Sequence, residues 1–241
     1  MGYMGGKHRL GKLIAATIQE LVPTCNRYWE PFVGSGAVTE YITHPNITVS
    51  DAHPDLILLW QEIRDGWVCT DEFGHAVWQI TKDEYAAWRN AAPSAERTVV
   101  GFQGSYRRKW FAGCDNQRLS ERRNFSKLFC AKIAKSALRA QILCGSYSDV
   151  CRPAAGDVIY CDPPYAGTTA FKGTFKFDSA VFWQWCTGLA DQGVHVFASE
   201  LQAPDSWQTV FEKQHQNSLA RTSKRNQNEK LFYRGPAWMQ T

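Results

Sequence analysis

An α/β fold with a mostly parallel central sheet, interrupted by a mainly helical insertion, is what three stretches of this sequence predict. The first is Arg27-Tyr28-Trp29-Glu30, a short strand that leads through Pro31-Phe32-Val33-Gly34-Ser35-Gly36 into a helix. That order of strand, glycine turn and helix belongs to nucleotide-binding α/β sheets. The second is Val158-Ile159-Tyr160, an apolar run of the kind that a parallel strand covered on both faces uses. It must stop at Asp162, because Pro163 and Pro164 cannot continue a hydrogen-bonded ladder. The third is the stretch from Arg97 to Arg139, where the alternation of strands and helices is lost, which sets roughly residues 66–138 apart as a mainly helical insertion.

A chain of 241 residues, 44% hydrophobic, can bury a large core, and one domain with an inserted subdomain is expected. None of the eight Cys pair as Cys-x-x-Cys, no Cys/His cluster has zinc-ligand spacing, and no long apolar run follows Met1. Free thiols in a reducing cytoplasm, with no metal, no export and no membrane span, are the expectation. Charge is unevenly spread. Between Arg97 and Arg139 eleven Lys and Arg stand against Asp115 and Glu121, while the whole chain carries only +4. Tyr106, Trp110, Phe111 and Phe125 are interleaved with these cations. A solvated helix face accounts for part of such a run, but aromatic residues among clustered cations are the footprint of a nucleic-acid partner.

Taken in order, Tyr3-Met4-Gly5-Gly6-Lys7 precedes a helix with Leu10, Leu13, Ile14, Thr17, Ile18 and Leu21 at helical spacing, ending before Pro23. A Gly-Gly turn lets backbone approach a ligand, and Lys7 can then reach a carboxylate or phosphate. After the Gly34/Gly36 turn no third glycine and no Gly-Lys-Ser/Thr follows, so an adenosine-like ligand without pyrophosphate fits better than NAD or a triphosphate. The next strand, Asn46 to Ser50, ends in Asp51, where an acid commonly accepts both ribose hydroxyls; a helix N-cap before Pro54 is the plainer alternative. Pro54 to Arg64 reads as a helix, with Leu56, Leu59, Trp60 and Ile63 on one side. Thr81-Lys82-Asp83-Glu84 has capping-box spacing and opens another helix through Arg89. Phe125, Leu128, Phe129, Ile133, Ser136 and Ala137 mark a basic amphipathic helix. Gln141 to Cys144 returns to strand. Beyond Tyr165, the glycine-rich stretch 166–175 is expected to form a mobile lid. Asp178 or Ser179 caps a helix with Val181, Phe182, Trp185 and Leu189 inward, and Gly193 to Ala198 is a buried strand in which His195 is core or edge rather than catalyst. Ser206 to Lys213 is expected to be helical, and Ser218 to Thr222 is expected to pair with Leu231-Phe232-Tyr233 in a terminal hairpin, with Arg221, Lys224 and Arg225 near its tip.

The chemistry concentrates at Asp162-Pro163-Pro164-Tyr165. Two prolines fix φ, remove two N–H donors and leave their carbonyls free, so Asp162 and the carbonyl after it become rigid acceptors beside the ring of Tyr165. Two acceptors next to an aromatic plate suit an amino group on a planar ring, adenine above all. A strand closed by a proline turn with a capping Asp is the plainer reading of the same four residues.

Tyr-x-Gly-Gly-Lys at the start, Glu30-Pro31-Phe32-x-Gly34-x-Gly36, Asp51, and Asp162-Pro163-Pro164-Tyr165, in this order, resemble the Dam-type (D12 class, alpha group) DNA adenine-N6 methyltransferases over nearly the whole chain. The resemblance implies a Rossmann-like class I methyltransferase fold, a seven-stranded sheet with its last strand antiparallel. Residues 1–65 and 139–241 would form the catalytic domain and 66–138 a target-recognition insertion. It implies S-adenosylmethionine as cofactor, held by Tyr3, Gly6, Lys7, Glu30, Phe32, Gly34, Gly36, Asp51, Tyr147 and Asp162, with Lys7 near its carboxylate and Tyr147 near its adenine. Asp162, Pro163, Pro164 and Tyr165 would be catalytic, acting on an adenine flipped out of double-stranded DNA in a bacterial or phage-infected cell. Arg107, Arg108, Lys109, Arg118, Arg122 and Arg123 are the candidate DNA contacts, and a monomer or weak dimer is expected. Phe102-Gln103-Gly104 departs from the family's Phe-Asn-Gly, and no later Gly-x-Phe-Asn-x-Pro is found, so a target other than G-A-T-C, or a relaxed one, is expected. A methyltransferase acting on cytosine N4, RNA or a protein glutamine would share the fold. A catalytically silent DNA-binding homologue is the other alternative.

Overall fold

The computed structural model describes residues 7, 9–115, 125–164, 177–215 and 227–236. Among them β1 (Tyr28–Glu30), β2 (Ile47–Asp51), β3 (Ala140–Cys144), β4 (Val158–Cys161), β5 (His195–Glu200), β6 (Gln208–His215) and β7 (Gln227–Arg234) form one sheet, ordered β3-β2-β1-β4-β5-β7-β6. Strands β1 to β5 pair in parallel, whereas β7 is antiparallel to both β5 and β6. The sheet is therefore mixed, with the antiparallel last strand expected of a Rossmann-like methyltransferase. Connections reverse direction at β1, with β2 and β3 on one side and β4 and β5 on the other. The carboxyl ends of β1 and β4 consequently flank the crevice in which such sheets hold ligands.

Alternation along the strands divides the core into two layers. Tyr28, Val158, Tyr160, Phe197 and Leu231 face one layer, with Ile14 and Ile18 of α1 (Gly11–Leu21) and Leu56, Leu59 and Trp60 of α2 (Pro54–Arg64). Trp29, Ile159, Cys161, Val196, Ala198 and Phe232 face the other. There they meet residues such as Phe182, Cys186 and Leu189, from the last helix among the described residues. Between β2 and β3 lie α3 (Asp71–Trp78), α4 (Lys82–Asn90), α5 (Ala95–Gln103), a 3₁₀ turn at Tyr106–Arg108, and α6 (Phe125–Ala137). The capping box of α4 is formed: the Glu84 N–H donates to Thr81 Oγ1 at 3.2 Å and the Thr81 N–H to Glu84 Oε2 at 2.8 Å. Phe129, Ile133 and Ala137 of α6 join the same hydrophobic cluster as α2, so this helix covers the sheet. A short α7 (Tyr147–Val150) and α8 (Ser179–Asp191) complete the set, α8 capped by Asp178, whose carboxylate accepts from the Ala180 and Val181 N–H groups. None of the described helices is long and apolar enough to cross a membrane.

The structure corrects several sequence expectations. Ser206 to Lys213 is not helical: Gln208–His215 is β6, paired antiparallel with β7. The helix-like spacing of Trp207, Val210 and Phe211 arises from a register shift between Thr209 and Phe211, an extra residue that breaks the strict alternation of a strand. This strand is the first arm of the hairpin with β7; Ser218 to Thr222 and the expected tip with Arg221, Lys224 and Arg225 lie outside the described residues, as does the expected lid. Val181, expected inward, is exposed, as are Leu13, Leu21 and Leu128 of the periodic patterns in α1 and α6. In α8 the buried positions include Trp183 and Cys186 instead of Val181. His195 is buried on β5 with Nδ1 2.9 Å from the Tyr233 hydroxyl, a structural position.

Candidate active site

Asp162 follows the last residue of β4 directly, and the two prolines behind it hold it at the sheet edge. Lys7 Nζ is 2.6 Å from Asp162 Oδ1 and 2.7 Å from Glu229 Oε1 of β7. The Lys7 side chain is 4% exposed, and those of Asp162 and Glu229 are each 17% exposed. Burial pushes the Asp162 carboxyl up to about 6; Lys7 opposes that rise, while the negative charges of Glu229 and Glu200 add to it. Burial also works against the Lys7 ammonium, but Asp162 and Glu229 outweigh it and raise its pKa. Above pH 6 the site thus holds a carboxylate able to accept hydrogen bonds, beside an ammonium that stays charged. Lys7, expected near a cofactor carboxylate, is paired here with two carboxylates of the protein.

The glycine turn after β1 is tied down from two sides. Asp51 Oδ2 accepts the Gly34 N–H at 3.1 Å and Oδ1 accepts the His53 N–H at 3.0 Å. Trp60 Nε1 donates to the Gly34 carbonyl at 3.0 Å. Gly36 sits at φ +69°, and a Cβ there would lie 2.9 Å from the Trp60 ring, so both backbone conformation and space require glycine. The Ala52 backbone also bears on this carboxylate, whose four acceptor sites still leave room for a further donor. Burial raises the Asp51 carboxyl to about 6, against the backbone N–H groups that lower it. Beside the turn, Phe32 and Tyr147 stand 5.3 Å apart, Phe177 is 6.3 Å from Phe32, and Trp185 is 4.8 Å from Tyr147. The Ser35 hydroxyl, between the two glycines, is buried without a hydrogen-bond partner among the described residues. An acid with spare lone pairs, an aromatic wall and an orphaned hydroxyl around one turn fit a nucleoside group.

Glu30 closes β1 beneath Asp162. Its Oε2 accepts from the Tyr28 hydroxyl at 2.9 Å and from the Thr39 hydroxyl. Burial pushes its carboxyl up to about 8 in spite of these donors, and the Asp162 charge adds to the rise. Glu30 is therefore neutral at pH 7, with two hydroxyls donating to its Oε2.

The structure divides the expected DNA contacts. Arg107 is exposed and Lys109 half-exposed. Arg108 differs from both: it is buried, donates to the Gln103 carbonyl, and lies 4.2 Å over the Trp78 ring and 5.3 Å over Phe125. Much of the remaining basic charge is also committed within the protein. Arg97 pairs with Asp55, Lys132 and Lys135 with Glu40, and Arg139 with the carbonyls of Ile42 and Thr39. Gln103, at the point of departure from Phe-Asn-Gly, is buried as well. Tyr3, Gly6, Arg118, Arg122, Arg123 and Tyr165 lie outside the described residues. Sequence reading missed Glu229, which no motif spacing links to Lys7, and Ser35, whose place between two turn glycines was a usable signal.

Among curated proteins, the Retron Ec67 DNA adenine methylase of Escherichia coli is 28% identical over 173 residues, covering 64% of this chain and 60% of that protein. A DNA adenine methylase of Vibrio cholerae is 28% identical over 187 residues, covering 70% of this chain and 66% of the relative. The chain thus spans less than two thirds of the length of each. A solved structure described as a conserved hypothetical protein of Streptococcus pyogenes aligns at TM-score 0.38 and 12% identity, covering 91% of this chain and 92% of that one, a likeness too loose to bear on the site. The family model of the D12 class N6 adenine-specific DNA methyltransferases matches residues 3–184, more than half of the sequence, and the chain belongs to that family.

Proposed function

We propose that the protein transfers a methyl group from S-adenosylmethionine to the N6 amino group of an adenine flipped out of double-stranded DNA. The observation that carries this reading is the Asp162 carboxylate, fixed at the end of β4 beside the glycine turn of β1 and paired with Lys7 at 2.6 Å. Bound S-adenosylmethionine would supply an electrophilic methyl group on a sulfonium. Asp51 would accept the ribose hydroxyls, Phe32 and Tyr147 would flank the adenine of the cofactor, and Ser35, Gly34 and Gly36 would line its path. Tyr3, Gly6 and Lys7 are assigned to the same cofactor by resemblance, Lys7 through its ammonium.

The amino nitrogen of the target is a poor nucleophile, because its lone pair is delocalised into the purine ring. Asp162 accepts one of its hydrogens and the Pro163 carbonyl the other, so the hydrogens are drawn out of the ring plane and the lone pair is exposed for in-line attack. Forming the carbon–nitrogen bond would break the sulfur–methyl bond and release a neutral thioether, and Asp162 would then be placed to accept the proton that the amino nitrogen loses. Pro164 keeps the Pro163 carbonyl from rotating, and Tyr165 would stack on the extruded base. Arg107 and Lys109 would hold phosphates, which makes DNA binding salt-dependent.

Incubating the protein with DNA and methyl-labelled S-adenosylmethionine, then analysing the nucleosides, tests this reading. Label in N6-methyl-2′-deoxyadenosine is the expected result; label confined to a cytosine derivative, or to RNA when both nucleic acids are offered, would overturn it.

A further inference from the structure

Glu229 stands at the reacting edge, and no motif accounts for it. It comes from β7, beyond residue 184, where the family match ends. Its Oε1 is 2.7 Å from the Lys7 ammonium that also contacts Asp162 at 2.6 Å. One ammonium is thus shared between two carboxylates in a site where Lys7 is 4% exposed. Water screens little there, so the division of that single positive charge decides how much negative charge Asp162 keeps.

We propose that Glu229 is a positioning residue that acts through Lys7: by drawing the ammonium toward itself, it stops Lys7 from neutralising Asp162 and so preserves the acceptor strength of Asp162 toward the amino group. This rests on the reading of Asp162 given above. Among the described residues the charged groups facing Asp162 include Lys7, Glu229 and Glu200, and the Glu30 carboxyl, neutral at pH 7, lies near it. A change confined to Glu229 alters one of these and leaves the cofactor turn untouched.

The test compares the full-length protein with Glu229→Gln, which keeps the shape and removes the charge. Carbon-13 NMR of labelled Asp carboxyls, with the Asp162 signal identified by Asp162→Asn, reads the titration directly. The Asp162 midpoint is expected to fall by about one pH unit in Glu229→Gln, and plateau turnover on DNA to fall about tenfold. The acidic limb of the turnover profile should move the same way as the midpoint. An unchanged midpoint, or unchanged turnover, would overturn the proposal. If the wild-type protein transfers no methyl group to DNA, the reading of Asp162 fails, while the NMR midpoint still decides whether Glu229 sets the charge on Asp162. Should Glu229→Gln not fold, Glu229→Asp keeps the charge but withdraws it by one methylene; a partial downward shift supports the proposal and no shift overturns it.

Discussion

Replacing Glu30 by Gln changes how the stability of the protein depends on pH, and the sign follows from its surroundings. Glu30 is 3% exposed, with both the Tyr28 and Thr39 hydroxyls directed at Oε2. Burial raises its pKa from 4.5 to about 8. In the unfolded chain the carboxyl ionises near its ordinary value, whereas in the folded protein it keeps its proton until about pH 8. Between those limits unfolding releases a proton, so rising pH favours the unfolded state. The slope is roughly 1 kcal/mol per pH unit, or a few kcal/mol across the window. Asp51 and Asp162, each raised to about 6, act in the same direction at lower pH, so the informative quantity is the difference between wild type and variant. Gln cannot ionise and carries none of the Glu30 contribution. Thermal melts of both proteins at pH 5, 6.5 and 8 and fixed ionic strength should show the wild type losing ground to Glu30→Gln as pH rises. At about 2–4 °C per kcal/mol for a chain of this size, the gap grows by on the order of 5–10 °C. Melting temperatures that run parallel across the range would show that Glu30 ionises normally, and would refute the account of this site as a neutral floor beneath Asp162.

Turnover should fall with a single-proton slope below about pH 6, where Asp162 takes up a proton and loses acceptor strength; a flat kcat profile between pH 5 and 8 would contradict that. Arg108→Ala should lower stability by about 2–3 kcal/mol, through loss of the Gln103 carbonyl contact and of the Trp78 and Phe125 stack, while leaving DNA affinity of the folded protein near wild type. Arg107→Ala should do the reverse, preserving the melt and reducing the salt dependence of DNA binding by about one counterion. Gly36→Ala should destabilise by about 1–3 kcal/mol, because it forces a left-handed backbone and a clash with Trp60; a melt equal to wild type would show that the turn is not held by that ring.

Local chemistry made much of this legible in the sequence. Pro163 and Pro164 end a strand wherever they stand, Thr81 and Glu84 define a helix start by their spacing, and Gly34 and Gly36 mark a turn that side chains would block. The seven-stranded sheet with its antiparallel last strand followed from the resemblance. What escaped is set by contacts distant in sequence. The 207–211 segment reads as a helix because a bulge in β6 breaks strand alternation, and only pairing with β7 reveals it. Arg108 is indistinguishable from Arg107 by composition; two rings from separate helices, Trp78 and Phe125, bury it. Glu229 meets Lys7 only because β7 lies beside β5, which no local pattern encodes.

The most direct test is labelled-methyl transfer to DNA by wild type and Asp162→Ala, with S-adenosylmethionine binding measured in parallel. The predicted result is N6-methyladenine from the wild type and a loss of at least about 10²–10³-fold in transfer by the variant, with cofactor affinity largely kept. Near-normal turnover in Asp162→Ala would contradict the central role given to that carboxylate.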